Sequence, residues 1–208
     1  MKLCMFTPIE LELERGWPGK VDGERVIQVA AQTLQAFFTG GGTAREHAEY
    51  PLAGVRLLVP VQQPPSIRIF DGSDFHFGNP ASVYGPDDEV PIPAGAGRIE
   101  ALLRPAAVIG ADGTIGGFTI MNDWEAPDLE GAKASDFASS LGPVVVTPDE
   151  HTPPGTDWDE LVDLVRRNTR LLPGDVIAAN AVQRVQAAAG DLVELELEEI
   201  GVLRNRIA

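Results

Sequence analysis

The residues best suited to chemistry in this sequence are an acidic segment and two isolated basic side chains. Residues 122–125 read Asn-Asp-Trp-Glu, and Arg104 lies in an apolar run, where a charge is costly unless it is paired. An arginine can orient a carboxylate or polarise a carbonyl by hydrogen bonding. Glu125 and His76 are candidate acid–base groups, although a histidine between two phenylalanines is more often structural. No catalytic triad, Cys/His metal spacing or phosphate-binding glycine loop stands out.

The composition of the chain limits the partners and the cellular compartment that can be expected. The chain has 208 residues, enough for one main domain, and a net charge of −15, which disfavours nucleic acid as a partner. Its single cysteine, Cys4, cannot form an internal disulfide, and its apolar neighbours predict that it is buried. No apolar run is long enough to cross a membrane, and the amino terminus lacks a signal-peptide core. We therefore expect a cytoplasmic protein without a membrane partner.

Hydrophobic periodicity predicts mostly strands and turns. Apolar residues at helical spacing predict a helix from about 24 to 38, capped by Asp22. A second helix is predicted from about Asp157 to Asn168. Apolar runs and alternation predict strands at 2–6, 55–59, 67–70, 99–109, 117–121, 144–147 and 193–198.

The segment at 117–128 reads GFTIMNDWEAPD, and it resembles the signature GYT-x-x-ND-x-SARD of the fumarylacetoacetate hydrolase superfamily. The asparagine and aspartate are kept, whereas SARD is replaced by Glu-Ala-Pro-Asp. Further segments resemble motifs of this superfamily in the same order along the chain, at 58–67, 79–90, 106–110, 136–147, 172–177 and 200–205.

The resemblance implies a fold and an assembly. The fold class is mainly β with short helices (α+β), with a β-roll or β-sandwich catalytic domain at 63–208. A small α/β accessory domain is expected at 1–62. Family members commonly dimerise through the catalytic domain, so the resemblance also implies a homodimer.

Family members hold a divalent cation with carboxylates, and the cation stabilises an enolate. The two family ligands before the Val-Ile-Gly motif correspond here to Leu102 and Arg104, neither of which binds Mg²⁺. Glu100 could replace one ligand if the strand were shifted by two residues. A further acidic ligand of larger members corresponds to Ile69, and the segment with the general-base histidine is missing. Only Asp123 remains, so we expect no metal and no other cofactor.

In the family, the side chains matching positions 104 and 123 bind the same ion. We therefore predict that the Arg104 guanidinium occupies the place of the cation and pairs with Asp123. The candidate catalytic residues are Arg104, Asp123, Glu125 and His76.

Five other residues are candidates for binding a small-molecule substrate. Ser135 stands where the family has a catalytic lysine, and Lys133 lies two residues earlier. Asn180 stands where the family has a substrate-binding Gly-Thr pair. The full set is Asn122, Trp124, Lys133, Ser135 and Asn180.

Three functions remain open at this point. The first is a metal-independent enzyme that cyclises, isomerises or otherwise rearranges a small carbonyl compound. The second is a non-catalytic subunit that binds a ligand or an intact homologue. The third is a hydrolase or decarboxylase with relocated metal ligands.

Overall fold

The computed structural model describes residues 1–208, and the chain is mainly β with short helices. Thirteen strands form one sheet and three form a second. The helices are α1 (Leu34–Thr39) and α2 (Trp158–Arg166). The strands are β1 (Lys2–Pro8), β2 (Trp17–Asp22), β3 (Arg25–Val29), β4 (Glu46–Pro51), β5 (Val55–Leu58), β6 (Ile67–Asp71), β7 (Asp74–Phe77), β8 (Val83–Tyr84), β9 (Glu89–Val90), β10 (Ile99–Ile109), β11 (Ile115–Glu125), β12 (Ser139–Val146), β13 (Val176–Ala178), β14 (Gln183–Ala187), β15 (Leu192–Leu197) and β16 (Gly201–Ile207).

The amino-terminal strands continue the large sheet. The strand order is β4-β3-β2-β1-β12-β11-β10-β13-β6-β7, and β5 pairs with β1. β1 joins the two parts of the chain because Leu3 lies opposite Val145 of β12. Cys4 on β1 is fully buried as expected, and burial raises the pKa of its thiol to about 12. The proposed domain boundary at residue 62 stays a prediction.

The predicted helix over residues 24–38 is wrong. β2 and β3 form a hairpin in which Asp22 lies opposite Arg25, and Gly23 in the turn has a positive φ of 60°. Helix α1 begins only at Leu34, where the Thr33 side chain accepts from the backbone N–H of Ala36. An Asp-Gly pair between apolar residues is a hairpin signal, and pairing with β2 and β4 outweighs the helical spacing.

The centre of the sheet is the antiparallel pair β10–β11. Every residue of β10 is buried, although Glu100, Arg104 and Pro105 interrupt its apolar run. Leu102 lies opposite Asp123 on β11 and, on the other side of β10, opposite Arg184 on β14. Glu100 lies opposite Glu125. Because side chains alternate along a strand, one face of the sheet carries Glu100, Leu102, Arg104, Asp123, Glu125 and Arg184.

Helix α2 packs on the face of the large sheet opposite the charged face. Its N-cap, Asp157, accepts from the backbone N–H of Glu160, which confirms the predicted start within one residue. Trp158, Val162 and Val165 are its buried residues, and the Trp158 ring lies 4.9 Å from that of Phe118. No helix in the chain is long and apolar enough to cross a membrane.

Candidate active site

A buried ion pair lies at the centre of the charged sheet face. Nε of Arg104 donates to Oδ2 of Asp123 at 3.1 Å. Arg104 is 0% exposed and Asp123 is 1% exposed. The pairing predicted from the sequence is therefore present. Each charge would be costly to bury alone, so the two groups depend on one another.

Three further hydrogen bonds fix the Arg104 guanidinium. Nη1 donates to the backbone carbonyl of Phe70 at 2.7 Å and to that of Ala179 at 3.3 Å. Nη2 donates to Oδ1 of Asp71 at 3.1 Å. Four of its five N–H groups are thus engaged by the protein. The Arg104 guanidinium is therefore held in a fixed position, and most of its N–H groups are already hydrogen-bonded.

Asp71 connects the buried pair to the surface. Its Oδ1 accepts from Arg104, and its Oδ2 lies 3.4 Å from Nδ1 of His76. The two side chains come from neighbouring strands of the β6–β7 hairpin and are 62% and 44% exposed. A carboxylate at Nδ1 orients the imidazole and leaves Nε2 available to accept a proton.

Asp71 was missed in the sequence, where Ile69 was assigned to the acidic position. Ile69 is buried among apolar side chains, and Asp71 lies two residues farther on the same face of β6. The Asp71-Gly72-Ser73-Asp74 turn was the available signal for a hairpin that ends in a carboxylate.

A second group of charges borders the pair. Nη1 of Arg184 donates to Oε2 of Glu100 and lies 3.4 Å from Oε2 of Glu125. The two glutamates lie directly opposite each other, so they would repel without this cation. The Arg184 side chain is 55% exposed, whereas Glu100 is almost fully buried. Arg184 was also missed in the sequence, because only the β10–β14 pairing brings it here.

The Asp123 carboxyl has a raised pKa and one oxygen without a hydrogen-bond partner. Burial raises the pKa of this carboxyl to about 6, with a further rise from Glu125, while Arg104 and His76 act to lower it. Its Oδ1 is enclosed and has no hydrogen-bond partner in the protein. A buried polar atom without a partner is costly, so this oxygen is suited to bind a water or a ligand atom.

The raised pKa predicts a pH dependence of stability. Because folding raises the pKa above its ordinary value of 3.8, the stabilising contribution is complete below that value and is lost as pH rises through about 6. Relative to Asp123→Asn, the wild type should lose roughly 1–3 kcal/mol of unfolding free energy between about pH 4 and 7. Urea denaturation over this range measures the difference. A ¹³C carboxyl resonance of Asp123 that titrates near its ordinary value would contradict the expectation.

Two predicted substrate-binding residues face away from this cluster. Asn122 lies opposite Leu103 on the other face of the β10–β11 pair, and it is almost fully buried. Trp124 is fully buried in the core on that face, where its Nε1 donates to Oγ of Ser140 at 2.9 Å. Their role in substrate binding stays a prediction, and their position is that of core residues.

Two others lie on a surface turn. Lys133 is exposed and pairs with Asp136 at 2.7 Å. Ser135 follows the same turn and is partly buried. Neither forms a hydrogen bond or ion pair with the charged cluster.

Asn180 lies next to the cluster. Its Oδ1 accepts from the backbone N–H of Gly72 at 2.7 Å, which holds the β6–β7 turn beside Asp71. Asn180 also lines a cleft of about 380 Å³ between this turn and α2. Phe70 and Ala179, whose carbonyls accept from Arg104, line the same cleft, so it borders the buried guanidinium.

Comparison with known proteins identifies the family. The profile of the family described as "Fumarylacetoacetate (FAA) hydrolase C-terminal" matches residues 38–159. The chain belongs to this family. An uncharacterized protein of Archaeoglobus fulgidus is 29% identical over 211 residues, an alignment covering 76% of this chain and 84% of the relative.

Solved structures show the fumarylacetoacetate hydrolase fold. One is maleylpyruvate hydrolase from Sphingobium sp. SYK-6 in complex with manganese(II) ion and pyruvate, with a TM-score of 0.82 and 20% identity over 100% of this chain and 99% of that chain. Another is 2-hydroxyhepta-2,4-diene-1,7-dioate isomerase from Mycobacterium marinum, with a TM-score of 0.82 and 22% identity over 100% and 98%. Enzymes of this fold thus include hydrolases and isomerases.

The divalent cation that the fumarylacetoacetate hydrolase family implies does not fit the residues of this site. The paired ligand positions hold Leu102 and Arg104, and the guanidinium lies 3.1 Å from the one remaining carboxylate. No three acidic, histidine or cysteine side chains are placed to enclose an ion. Since Mg²⁺ requires several oxygen ligands in octahedral geometry, we assign no chemical step to a metal.

Proposed function

We propose that the chain is a metal-independent enzyme that isomerises a small carbonyl compound by proton transfer. The observation that carries the proposal is the enclosed, unpartnered Oδ1 of Asp123 beside a fixed Arg104. Glu125 lies two residues from Asp123 on the same face of β11, and Asp71 connects His76 to Arg104, so candidate acid–base groups border this carboxyl. The isomerase and the pyruvate-bound hydrolase of similar fold support a small carbonyl-containing substrate.

The arrangement provides a separate acid and base. Protonated Asp123 donates from Oδ1 to the substrate carbonyl oxygen, while Nε2 of His76 removes a proton from the neighbouring carbon. The electron pair of the broken C–H bond forms a C=C bond, and the carbonyl oxygen becomes an enol O–H. His76 then returns its proton to a different carbon of an unsaturated substrate, and the enol proton returns to Asp123. No co-reactant is consumed.

Arg104 stabilises the carboxylate that Asp123 becomes after it donates its proton. The guanidinium is already held by Phe70, Ala179 and Asp71, so it needs no rearrangement during the reaction. Asp71 faces both Arg104 and His76, and thereby sets the position of the acid relative to the base. Arg104 and Asp71 act as positioning residues.

A non-catalytic binding subunit is the second candidate, and it is favoured because the ion pair is enclosed. Both members of the ion pair are almost fully enclosed, so a ligand could be held at the exposed rim of Asp71, His76 and Glu125 without proton transfer. The two functions differ in whether substrate protons exchange with solvent.

Proton exchange tests the proposed function. Unsaturated ketones are incubated with the protein in D₂O and EDTA, and deuterium incorporation beside the carbonyl is followed by ¹H NMR. We expect exchange with the wild type and a loss of about 10²-fold or more in Asp123→Asn and in His76→Gln. His47→Gln, at an exposed position on β4, is the matched control and should behave as wild type. Ligand binding without exchange would support the binding subunit instead, and exchange that requires added Mg²⁺ would exclude metal independence.

A further inference from the structure

We propose that Asn180 is a positioning residue that fixes the general base of the proposed reaction. The inference rests on the proposed function, and it assigns to Asn180 the control of the contact between Asp71 and His76. Direct contact of Asn180 with the substrate, which the family resemblance implies, is the alternative that the test must exclude.

The Asn180 side chain bonds both backbone polar groups of one residue at the tip of the β6–β7 hairpin. Its Oδ1 accepts from the backbone N–H of Gly72 at 2.7 Å, and its Nδ2 donates to the backbone carbonyl of Gly72 at 3.4 Å. Gly72 has a positive φ of 70°, and glycine has more conformational freedom than any other residue. The amide therefore holds the peptide planes on both sides of the most flexible position of the turn.

This clamp lies where the parallel pairing of β6 with β13 has ended. The last pair of that ladder is Ile69 with Ala178. On each segment, the carbonyl of the following residue accepts from the Arg104 guanidinium. The Asn180 amide then bonds the hairpin one residue farther along its own segment. Side chains thus connect the two segments where the strand pairing stops.

The turn of the hairpin has only one other side-chain anchor. Apart from Asn180, the Arg104 guanidinium is the only side chain outside the hairpin that bonds residues 71–74. β7 is the last strand of the large sheet, so the hairpin has no strand neighbour on that side. Without the Asn180 amide, the turn would be held by a single ion pair and would move more freely.

The clamp acts on the base through Asp71. The peptide bond whose N–H Asn180 accepts joins Asp71 to Gly72, so its orientation sets the direction of the Asp71 side chain. Oδ2 of Asp71 lies 3.4 Å from Nδ1 of His76, which is the upper range of a hydrogen bond and sensitive to small rotations. A carboxylate at Nδ1 selects the tautomer whose Nε2 can accept a proton. Asn180 therefore sets the fraction of His76 that is ready to act as the base.

The tautomer of His76 tests the clamp directly. Protein labelled with ¹⁵N-histidine is observed by NMR at about pH 8, where an ordinary imidazole is neutral. His76→Gln identifies the His76 signals. We expect the proton on Nδ1 in the wild type and mainly on Nε2 in Asn180→Ala, because an imidazole without a partner in water prefers the Nε2–H form. An unchanged Nδ1–H form in Asn180→Ala overturns the inference.

Exchange kinetics separate positioning from substrate binding. Deuterium exchange of mesityl oxide, an unsaturated ketone, is followed by ¹H NMR in D₂O with EDTA and gives kcat and KM. Asn180→Ala should lower kcat about tenfold and leave KM unchanged, because Asn180 acts on the base and not on the ketone. A raised KM with unchanged kcat would make Asn180 a substrate-binding residue and would overturn the inference.

Two variants serve as controls, and Asn180 is exposed, so substitutions there should leave the fold intact. Asn180→Asp keeps an oxygen for the Gly72 N–H and should restore most of the wild-type tautomer and kcat. Thr33→Ala removes the acceptor of a single backbone N–H at the start of α1 and should behave as wild type. If Asn180→Asp behaves as Asn180→Ala does in both measurements, the bond to Gly72 is not the cause and the inference fails.

Failure of this inference can be separated from failure of the proposed function. A tautomer change in Asn180→Ala, with no exchange by the wild type, would keep the clamp and reject catalysis. Exchange by the wild type, with tautomer and kcat unchanged in Asn180→Ala, would keep catalysis and reject the clamp.

Discussion

Replacing Arg104 with methionine should remove about 3–5 kcal/mol of the unfolding free energy. The substitution leaves the Asp123 carboxylate buried without its cation, and it also leaves two backbone carbonyls and Asp71 without their donor. Such groups cost most when one partner is removed and the other stays buried. Urea denaturation of the wild type and of Arg104→Met measures the loss.

Two variants control for the loss of an arginine as such. Arg204→Met removes an exposed charge whose partners, Asp87 and Glu194, are also exposed, and it should cost less than about 1 kcal/mol. Arg104→Met combined with Asp123→Leu removes both buried charges and should recover much of the loss. If Arg104→Met costs no more than Arg204→Met, the buried pair does not contribute as we infer.

Restoring the family's ligands should restore a metal site. In Leu102→Glu combined with Arg104→Glu, three carboxylates share one sheet face, since Leu102 lies directly opposite Asp123. Without metal these charges repel, so the variant should be destabilised. At an Mn²⁺ concentration about 100 times the dissociation constant, stability should rise by about 2.7 kcal/mol, which is several degrees in melting temperature.

Leu102→Glu alone is the matched control, because it keeps the Arg104 guanidinium at Asp123. It should show no response to Mn²⁺. If the double variant unfolds without metal, recovery of its circular dichroism signal on adding Mn²⁺ gives the same information. A folded double variant that ignores Mn²⁺, or an Mn²⁺ response from Leu102→Glu alone, would contradict the idea that arginine replaced the cation.

Much of the fold follows from local sequence patterns, and the exceptions have physical reasons. β10 was predicted with its observed bounds because most of its eleven residues are apolar, and the strand is buried along its whole length despite Pro105. Helix α2 was predicted because a cap precedes an amphipathic run. The region after Asp22 was mistaken for a helix, since its apolar residues also fit helical spacing, and the Asp-Gly hairpin signal was given too little weight.

The site was predicted where a sequence motif fixes the strand register. Counting from Ile109-Gly110 placed Arg104 on the same face as Asp123, and the two are paired. Asp71 depends on the parallel pairing of β6 with β13, and Arg184 depends on the pairing of β14 with β10. Strand pairings between distant segments leave no local pattern in the sequence, so these two residues required the structure.

A guanidinium differs chemically from the divalent cation that the family implies. It carries a fixed single charge and has no open coordination position, so it cannot bind a substrate oxygen as a metal does. The acidity of the proposed site would therefore come from Asp123, whose pKa is raised by burial. The functional consequence that we propose is proton transfer through a carboxyl in place of Lewis-acid catalysis.

The most direct test of the central claim is titration of the wild type with Mn²⁺, followed by electron paramagnetic resonance of the free ion. If the Arg104 guanidinium occupies the cation position at Asp123, the free Mn²⁺ signal should match that of a protein-free solution at each concentration. Stoichiometric loss of the signal at micromolar Mn²⁺ that disappears in Asp123→Asn would show a metal at this carboxylate and would contradict the account.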